Sequence, residues 1–438
     1  MSIAEQVKEA GVVGAGGAGF PTHVKAASKA DTVIANGAEC EPLLHKDGEL
    51  MAREAAQVVR GLQLLMESTG ARRGIIGIKE KNRQAVAAME AAVAGTDVEI
   101  HPLGAYYPTG DEYILVYETT GRLIPPLGIP LEVGVVVNNV ETLYNLAAAV
   151  EGQPVTTKVL TVNGAVRQPV TVRVPLGVSF REVVELAGGA TVDRVGMFVG
   201  GIMMGPLVFD LEAPVTKTTT GLVVLPAEHP LVERMSRPER ARLRIGKSAC
   251  DQCSYCTEFC PRYLLGYAVQ PHKVMRNLGF TVLESELWTQ WGQLCCECGL
   301  CSLYSCPEDL YPKEACVKSK RDWQEAGREW SGLREVTPHP LYASRRVPVQ
   351  RLIRRLGVAE YDRPAPWLEA TVQPERVCLP LQQHLGAPAE PTVRVGERVQ
   401  VGQKIAVVPE GALGAPLHAS IDGLVTQIDE AVVIERKA

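Results

Sequence analysis

The first third of the chain alternates short apolar runs with amphipathic stretches. Thr32–Ala35, Gly74–Ile78 and Asp97–Ile100 have the length and β-branched content of strands. Between them, Gly48–Ser68 and Gln84–Ala94 carry apolar residues at helical spacing. Such alternation predicts an α/β domain with a parallel sheet, over residues 1–152. A short polar helix precedes it, and Asn139 is placed to N-cap a helix running to Val150. Over residues 153–230 the pattern changes. Lys158–Val166 and Val170–Pro175 read as strands around an Asn163–Gly164 turn, Phe180–Ala187 as a helix, and Val195–Gly201 as a buried strand. The Met203–Met204 pair beyond it reads as core filling. In residues 372–438, short strands between glycine turns predict a β-sandwich, with His384 and His418 as surface or core residues.

Length and composition bound the class. A chain of 438 residues predicts two to four domains, and 46% hydrophobic with 22% charged residues is ordinary for a globular protein. A net charge of −5 excludes a globally basic nucleic-acid binder. The first residues lack the shape of a signal peptide, and the longest apolar run, Val195–Phe209, is short and glycine-broken. No membrane span and a cytoplasmic location are therefore expected. Arg234–Lys247 carries six basic residues, and Lys318–Arg355 is rich in Arg and Trp. These read as a solvated face or, more sharply, as a docking surface for an acidic electron-transfer partner.

Nine of the twelve cysteines lie between Cys250 and Cys306, within an expected domain over residues 240–325. Cys250, Cys253, Cys256 and Cys260, followed by proline, have the spacing with which bacterial ferredoxins hold a [4Fe–4S] cluster. Cys295, Cys298 and Cys301 repeat the two-and-two spacing, with four residues before Cys306. Because the distant fourth cysteine ligates the other cluster, Cys250, Cys253, Cys256 and Cys306 are assigned to one centre. Cys295, Cys298, Cys301 and Cys260 are assigned to the second. Zinc sites do not need triplets followed by Cys-Pro, and disulfides require an oxidising compartment. Cys296 breaks the spacing and reads as a bystander beside Cys295.

Candidate phosphate chemistry lies near the amino terminus. Gly14, Gly16 and Gly19 formally match a dinucleotide fingerprint, with Glu39 twenty residues beyond. Only Val12–Val13 stand where a full strand is needed, so the plain Rossmann context fails. The loop's physics remains: glycines Gly14, Gly16, Gly17 and Gly19 let backbone N–H groups approach an anion, and Lys25 can reach the same charge. Three polar clusters follow, Asn36…Glu39-Cys40-Glu41, Gly110-Asp111-Glu112 and Asn138-Asn139-Val-Glu141-Thr142. Taken singly, each reads as a cap or a turn.

Together these motifs resemble the flavin domain of complex I's NADH-oxidising subunit, and more closely the RnfC and PduS proteins. The resemblance covers essentially the whole chain. It implies an α/β flavin domain, a β-grasp (SLBB) module, a two-cluster ferredoxin-like domain and a lipoyl/biotinyl-like sandwich. That sandwich lacks an attachment lysine on the Glu410–Pro416 segment. The resemblance also implies that the glycine loop and Lys25 hold the FMN phosphate. Asn36, Glu39, Gly110, Asp111, Glu112, Asn138, Asn139 and Thr142 would surround the rest of the flavin. Glu41 would contact NADH, and Phe20 would stack on its adenine. SLBB modules in flavoprotein subunits are mostly structural. Ala38 replaces an aspartate of complex I, and aromatics are missing near Ser28 and Leu127, which implies looser NADH binding or another donor.

The implied activity is an oxidoreductase passing electrons from NADH through FMN and two [4Fe–4S] clusters. A flavin is needed because it accepts hydride and releases single electrons. In RnfC the sandwich is amino-terminal, in PduS carboxy-terminal, as here. The PduS branch implies cobalamin or a cobalamin-handling enzyme as acceptor, with microcompartment proteins as further partners inside a bacterial microcompartment. Two alternatives stand beside it: an Rnf-type subunit exchanging electrons with ferredoxin or flavodoxin, and an electron-wire or scaffold protein that never meets NADH.

Overall fold

The computed structural model describes residues 1–279, 290–332 and 334–436. The expected cysteine-rich stretch therefore includes ten residues, 280–289, that lie outside the described residues, as do the last two of the expected sandwich. Near the amino terminus, β1 (Thr32–Gly37), β2 (Arg73–Lys79), β3 (Val98–Leu103), a two-residue β4 (Tyr106–Tyr107) and β5 (Val135–Asn139) follow in the chain. Four of them form a parallel sheet in the order β3-β2-β1-β5. Helices α1 (Ile3–Glu9), α2 (Thr22–Ala26), α3 (Lys46–Arg53), α4 (Ala55–Thr69), α5 (Arg83–Val93), α6 (Glu112–Thr120) and α7 (Val140–Val150) cover it.

Sheet and pattern agree for a physical reason. A parallel sheet is covered on both faces, so its strands are nearly continuous apolar runs. Val33, Ile34, Ile76, Ile78 and Val135 are fully buried, each burial stabilising by roughly 1.5–3 kcal/mol. The chain runs outward from β1 to β3, then returns to place β5 on the other side of β1. That reversal opens a crevice at the carboxyl ends of β1 and β5, where Asn36 pairs with Asn139. One expectation changes: the single helix over 48–68 is two helices, because Glu54 (φ −114°, ψ 28°) leaves the helical region. The break lets α4 close on α7, where a Cβ at Gly61 would lie 1.9 Å from the Leu143 carbonyl.

The second module contains β6 (Thr157–Gly164), β7 (Val170–Pro175), α8 (Phe180–Leu186), β8 (Val195–Val199), β9 (Leu207–Val208) and β10 (Gly221–Pro226). Its sheet order is β7-β6-β10-β8-β9, with β6 and β10 parallel, which is a β-grasp arrangement. The Asn163–Gly164 pair is not the turn its composition suggests. Both residues stay in β6; Asn163 donates to the Leu43 and Arg363 carbonyls, and a Cβ at Gly164 would collide with the Val224 carbonyl. Close backbone approach, not turn chemistry, requires that glycine. Nor is the methionine pair uniformly core. Met203 is buried, but Met204 is 54% exposed.

The carboxy-terminal residues form a four-stranded and a three-stranded sheet. Their apolar faces share one core with the first domain: Val377, Ile405 and Ile434 cluster with Val7, Val33 and Leu143. Leu385 N donates to the Gly19 carbonyl at 3.0 Å, so this sandwich braces the glycine loop from outside. Buried Lys217 joins the same seam, donating to the Gly11 and Pro416 carbonyls beside His418. Among the described residues, no helix is long and apolar enough to cross a membrane.

Candidate functional site

One cavity of about 780 Å³ opens at the β1/β5 crevice. Gly14, Gly16, Gly17, Phe20, Lys25, Asn36, Glu39, Glu41, Gly110, Asp111, Glu112, Asn138 and Asn139 all line it. Gly19 and Thr142 stand just behind the wall. Thr142 accepts a hydrogen bond from Ala15 N at 2.9 Å, and Gly14 N donates to the Phe20 carbonyl at 2.9 Å, which closes the loop on itself. Gly17 (φ 116°) faces open space where a side chain would stand, so its backbone is bare toward the cavity. Val13 makes only an isolated bridge to Pro21, as the failed Rossmann context predicts.

The acidic and amide residues divide into braces and open groups. Asn36 donates to the Gly110 carbonyl at 3.0 Å and accepts from Ala38 N, holding one wall against another. Asp111 caps α6 through Tyr113 N and Ile114 N and pairs with Arg262 at 2.8 Å. Lys25 donates to the Val137 carbonyl at 2.7 Å and lies 3.3 Å from Glu112. Glu39 accepts from Asp47 N, and burial, with the Asp47 charge, pushes its pKa up to about 8. Burial likewise raises Glu41 to about 7. Its Oε2 accepts from Met203 N at 2.9 Å, while Oε1 has no partner; Asn138 Nδ2 is also buried and unpartnered. An unsatisfied buried donor and acceptor in one cavity wall are what a polar ligand would complete. With the bare glycine loop, they fit a phosphate-bearing aromatic cofactor such as FMN.

Several wall residues carry no motif. Lys46 and Asp47 line the cavity and belong to a buried network in which Lys46 meets Glu141 at 3.0 Å and Asn139 donates to Asp47 at 2.9 Å. Glu141 is therefore a brace: burial would raise its pKa, but Lys158 and Lys46 together hold it below the usual value. The β-grasp module supplies a whole wall, through Val199–Gly200, Met204–Pro206, Thr216 and Thr218–Thr220. Its role is thus more than that of a spacer. Arg262, Cys296 and Cys298 complete the lining from the cysteine-rich region.

The cysteines form two groups. Cys250, Cys253, Cys256 and Cys306 line one small cavity together with His272. Cys260 lies close to Cys295 and Cys296, and Cys298 and Cys301 lie close to Cys260. Cys306 thus stands with the first loop's cysteines, and Cys260 with those of the second, Cys296 among them. Burial pushes Cys256 up to about 12 and Cys260 and Cys301 well above the usual thiol range, and a hydrogen bond with Cys296, together with burial, does the same for Cys298. Cys295 alone is held down, to about 7, by a hydrogen bond from Cys316, assisted by Glu297 N and Lys320. Cys316, on the helix Pro312–Glu325, had no spacing signal to reveal it. The two groups adjoin through Cys256 and Cys301. Soft thiolates in two sets of four suit iron–sulfur clusters.

Of the basic residues, many are already engaged. Arg234 and Arg355 pair with Asp309, Arg345 with Glu258 and Arg346 with Glu118. Arg240, Arg244 and Lys247, on the helix Glu239–Ala249 that leads to Cys250, are exposed.

Known proteins match the chain along its length. Residues 7–148 match the Nuo51 FMN-binding domain, 159–207 the SLBB domain, 249–311 the 4Fe-4S dicluster domain and 365–438 the RnfC barrel sandwich hybrid domain. Cobalamin reductase PduS of Salmonella typhimurium is 46% identical over 98% of this chain and 95% of its own length. The Citrobacter freundii protein of the same name is 45% identical with the same coverage. A component of the Na(+)-translocating ferredoxin:NAD(+) oxidoreductase complex of Acetobacterium woodii is 37% identical over 60% of this chain and 58% of that protein. The crystal structure of NAD+-reducing [NiFe]-hydrogenase in the H2-reduced state shares the fold, with a TM-score of 0.50 and 23% identity over 75% of this chain and 67% of that one. The chain belongs to the PduS family of oxidoreductases, related to RnfC, and combines an FMN-binding domain with an SLBB domain, a 4Fe-4S dicluster domain and a barrel-sandwich hybrid.

Proposed function

We propose that this chain oxidises NADH and passes the electrons one at a time to cobalamin. The observation that carries this reading is that Cys296 and Cys298 stand in the wall of the same cavity as the glycine loop. When bound, a flavin accepts a hydride and releases single electrons, which [4Fe–4S] clusters carry. One NADH would thus reduce two cob(III)alamin to cob(II)alamin, leaving NAD+ and a proton. Gly14, Gly16, Gly17 and Lys25 would hold the FMN phosphate, and Asn138 would complete a hydrogen bond to the flavin. Glu41 would meet the nicotinamide donor. Cys260, Cys295, Cys298 and Cys301 would hold the inner cluster, and Cys250, Cys253, Cys256 and Cys306 the outer one.

The domain limits we propose are 1–152, 153–230, 240–325 and 372–438. The names of two relatives alike over nearly the full chain support cobalamin as acceptor. A cobalamin-handling partner and a cytoplasmic microcompartment complete this reading. Similarity to the ferredoxin:NAD(+) oxidoreductase component supports a second reading, in which ferredoxin or flavodoxin is the partner. Stopped-flow mixing of the anaerobic holoprotein with NADH separates them. The expected result is rapid flavin bleaching, followed by re-oxidation with cob(III)alamin but not with ferredoxin. Flavin that stays oxidised would sink the NADH assignment. Replacing Glu41 by Ala is expected to raise the KM for NADH about tenfold, roughly 1.4 kcal/mol, with flavin content unchanged. Loss of flavin instead shows that Glu41 serves the cofactor.

A further inference from the structure

Beside the inner cysteines, the cavity wall holds a buried cation, Arg262. Arg262 follows Cys260 by two residues, on the short helix Pro261–Leu264, and its side chain is only 10% exposed. It lines the cavity beside Cys296, and its guanidinium packs 3.4 Å from the Tyr113 ring centroid. Asp111 is its carboxylate partner, at 2.8 Å.

That ion pair does not cancel itself. The Asp111 carboxylate is shared: it also accepts from two backbone N–H groups at the start of the nine-residue helix α6. Those donors and the positive end of the helix spread and offset its negative charge. Arg262 makes no such set of backbone hydrogen bonds: beyond Asp111 it packs on Tyr113, its Nε is buried and unpartnered, and the Cys296 thiol lies beside its guanidinium. An arginine stays charged throughout the ordinary pH range, and in a dry site its field is little screened. Adding an electron to a cluster makes it more negative, so a neighbouring positive charge favours the reduced form.

We infer that Arg262 sets the potential step between the cavity and the inner cysteine group, holding the inner cluster easier to reduce than its buried sulfur surroundings would make it. Asp111 tempers that effect and fixes the guanidinium in place. Electron transfer out of the cavity is thereby favoured without any bond being made or broken at Arg262. The inference rests on the reading that Cys260, Cys295, Cys298 and Cys301 hold a cluster.

Potentiometric titration of the anaerobic holoprotein, followed by electron paramagnetic resonance, tests it. The inner signal is identified as the one lost in Cys298→Ser. Arg262→Gln is expected to lower the inner midpoint by about 59 mV, a tenfold change in the reduced-to-oxidised ratio, and to leave the outer midpoint nearly unchanged. Arg262→Lys, which keeps the charge, is expected to restore most of the shift. Asp111→Asn is expected to raise the same midpoint. Unmoved midpoints in Arg262→Gln, or an equal shift in Arg262→Lys, overturn the inference. If Arg262→Gln fails to assemble, Asp111→Asn decides alone: a rise supports the inference, and a fall or no shift overturns it. Wild-type protein without two cluster signals removes the cluster reading itself, whereas two signals indifferent to Arg262 remove only this inference.

Discussion

The two cysteine loops are one turn used in two environments. Gln252 and Ser254, which flank Cys253, have φ of 62° and 68°; Glu297 and Gly299, which flank Cys298, have φ of 59° and 78°. Three of these four are not glycine, so the strained conformation is imposed by what the loop must hold. The matching positions align Cys250 with Cys295 and leave Cys296 as the residue between ligand positions. Past the third cysteine the loops diverge. Tyr255–Glu258 is an ordinary helical turn, but Cys301–Ser305 is a π-helix, which absorbs the extra residue before Cys306. Their surroundings differ more. Cys253 is exposed and Cys250 half-buried, whereas Cys298 and Cys301 are buried and Cys298 reaches the cavity. On the proposed function, the same turn would serve as an entrance where it is buried against the cavity and as an exit where it meets solvent.

The largest expected effect breaks that order in two places. Cys298→Ser is expected to leave flavin bleaching by NADH intact but to cut acceptor reduction by about 100-fold or more, because the entrance is gone. Cys253→Ser should cut acceptor reduction as deeply while the inner cluster still reduces in rapid-freeze spectra. If the inner cluster stays oxidised in Cys253→Ser, the order from cavity to surface is reversed.

A smaller contrast separates neighbours. Cys295→Ser is expected to lose the inner cluster, with about half of the iron, since two like clusters share it. Cys296→Ser should keep both. Iron and sulfide analysis with the paramagnetic spectra checks this, and the opposite outcome would show that the extra thiol is the ligand after all.

Much of this contrast was legible before the structure. Ligand spacing is a local property, so the grouping of Cys260 with Cys295, Cys298 and Cys301 could be read from it. The glycine loop and the three polar clusters were readable as motifs because each spans a few consecutive residues. What escaped depends on surfaces brought together from far apart. Arg262 looks like any helical arginine until α6 places Asp111 against it, 151 residues earlier in the chain. Thr218 and Thr219 sit in a loop with no signature, yet β-grasp packing turns that loop into a cavity wall. Glu141 was visible within its motif, but its work as a buried brace depends on Lys46 and Lys158 arriving from other elements. The break at Glu54 was hidden for a related reason: helical periodicity runs through it, and only the packing of α4 on α7 shows why it is there.

The smallest expected effect tests whether burial, rather than the turn, separates the loops. Each loop's first cysteine has a side-chain donor beside it: Gln252 Nε2 donates to Cys250 at 3.1 Å, and the Cys316 thiol adjoins Cys295. A hydrogen bond to a ligand sulfur favours the reduced cluster, so removing either donor should lower the corresponding midpoint. An amide is the stronger donor, which in equal surroundings would make Gln252→Ala the larger change. The surroundings are not equal. Gln252 is exposed, so water replaces the lost N–H, whereas Cys316 is fully buried and nothing can take its place. Cys316→Ala is therefore expected to lower the inner midpoint, and Gln252→Ala to shift the outer one by less, in paired potentiometric titrations. A larger shift from Gln252→Ala would mean that donor strength outweighs burial, and that the loops differ by chemistry rather than by where the fold has put them.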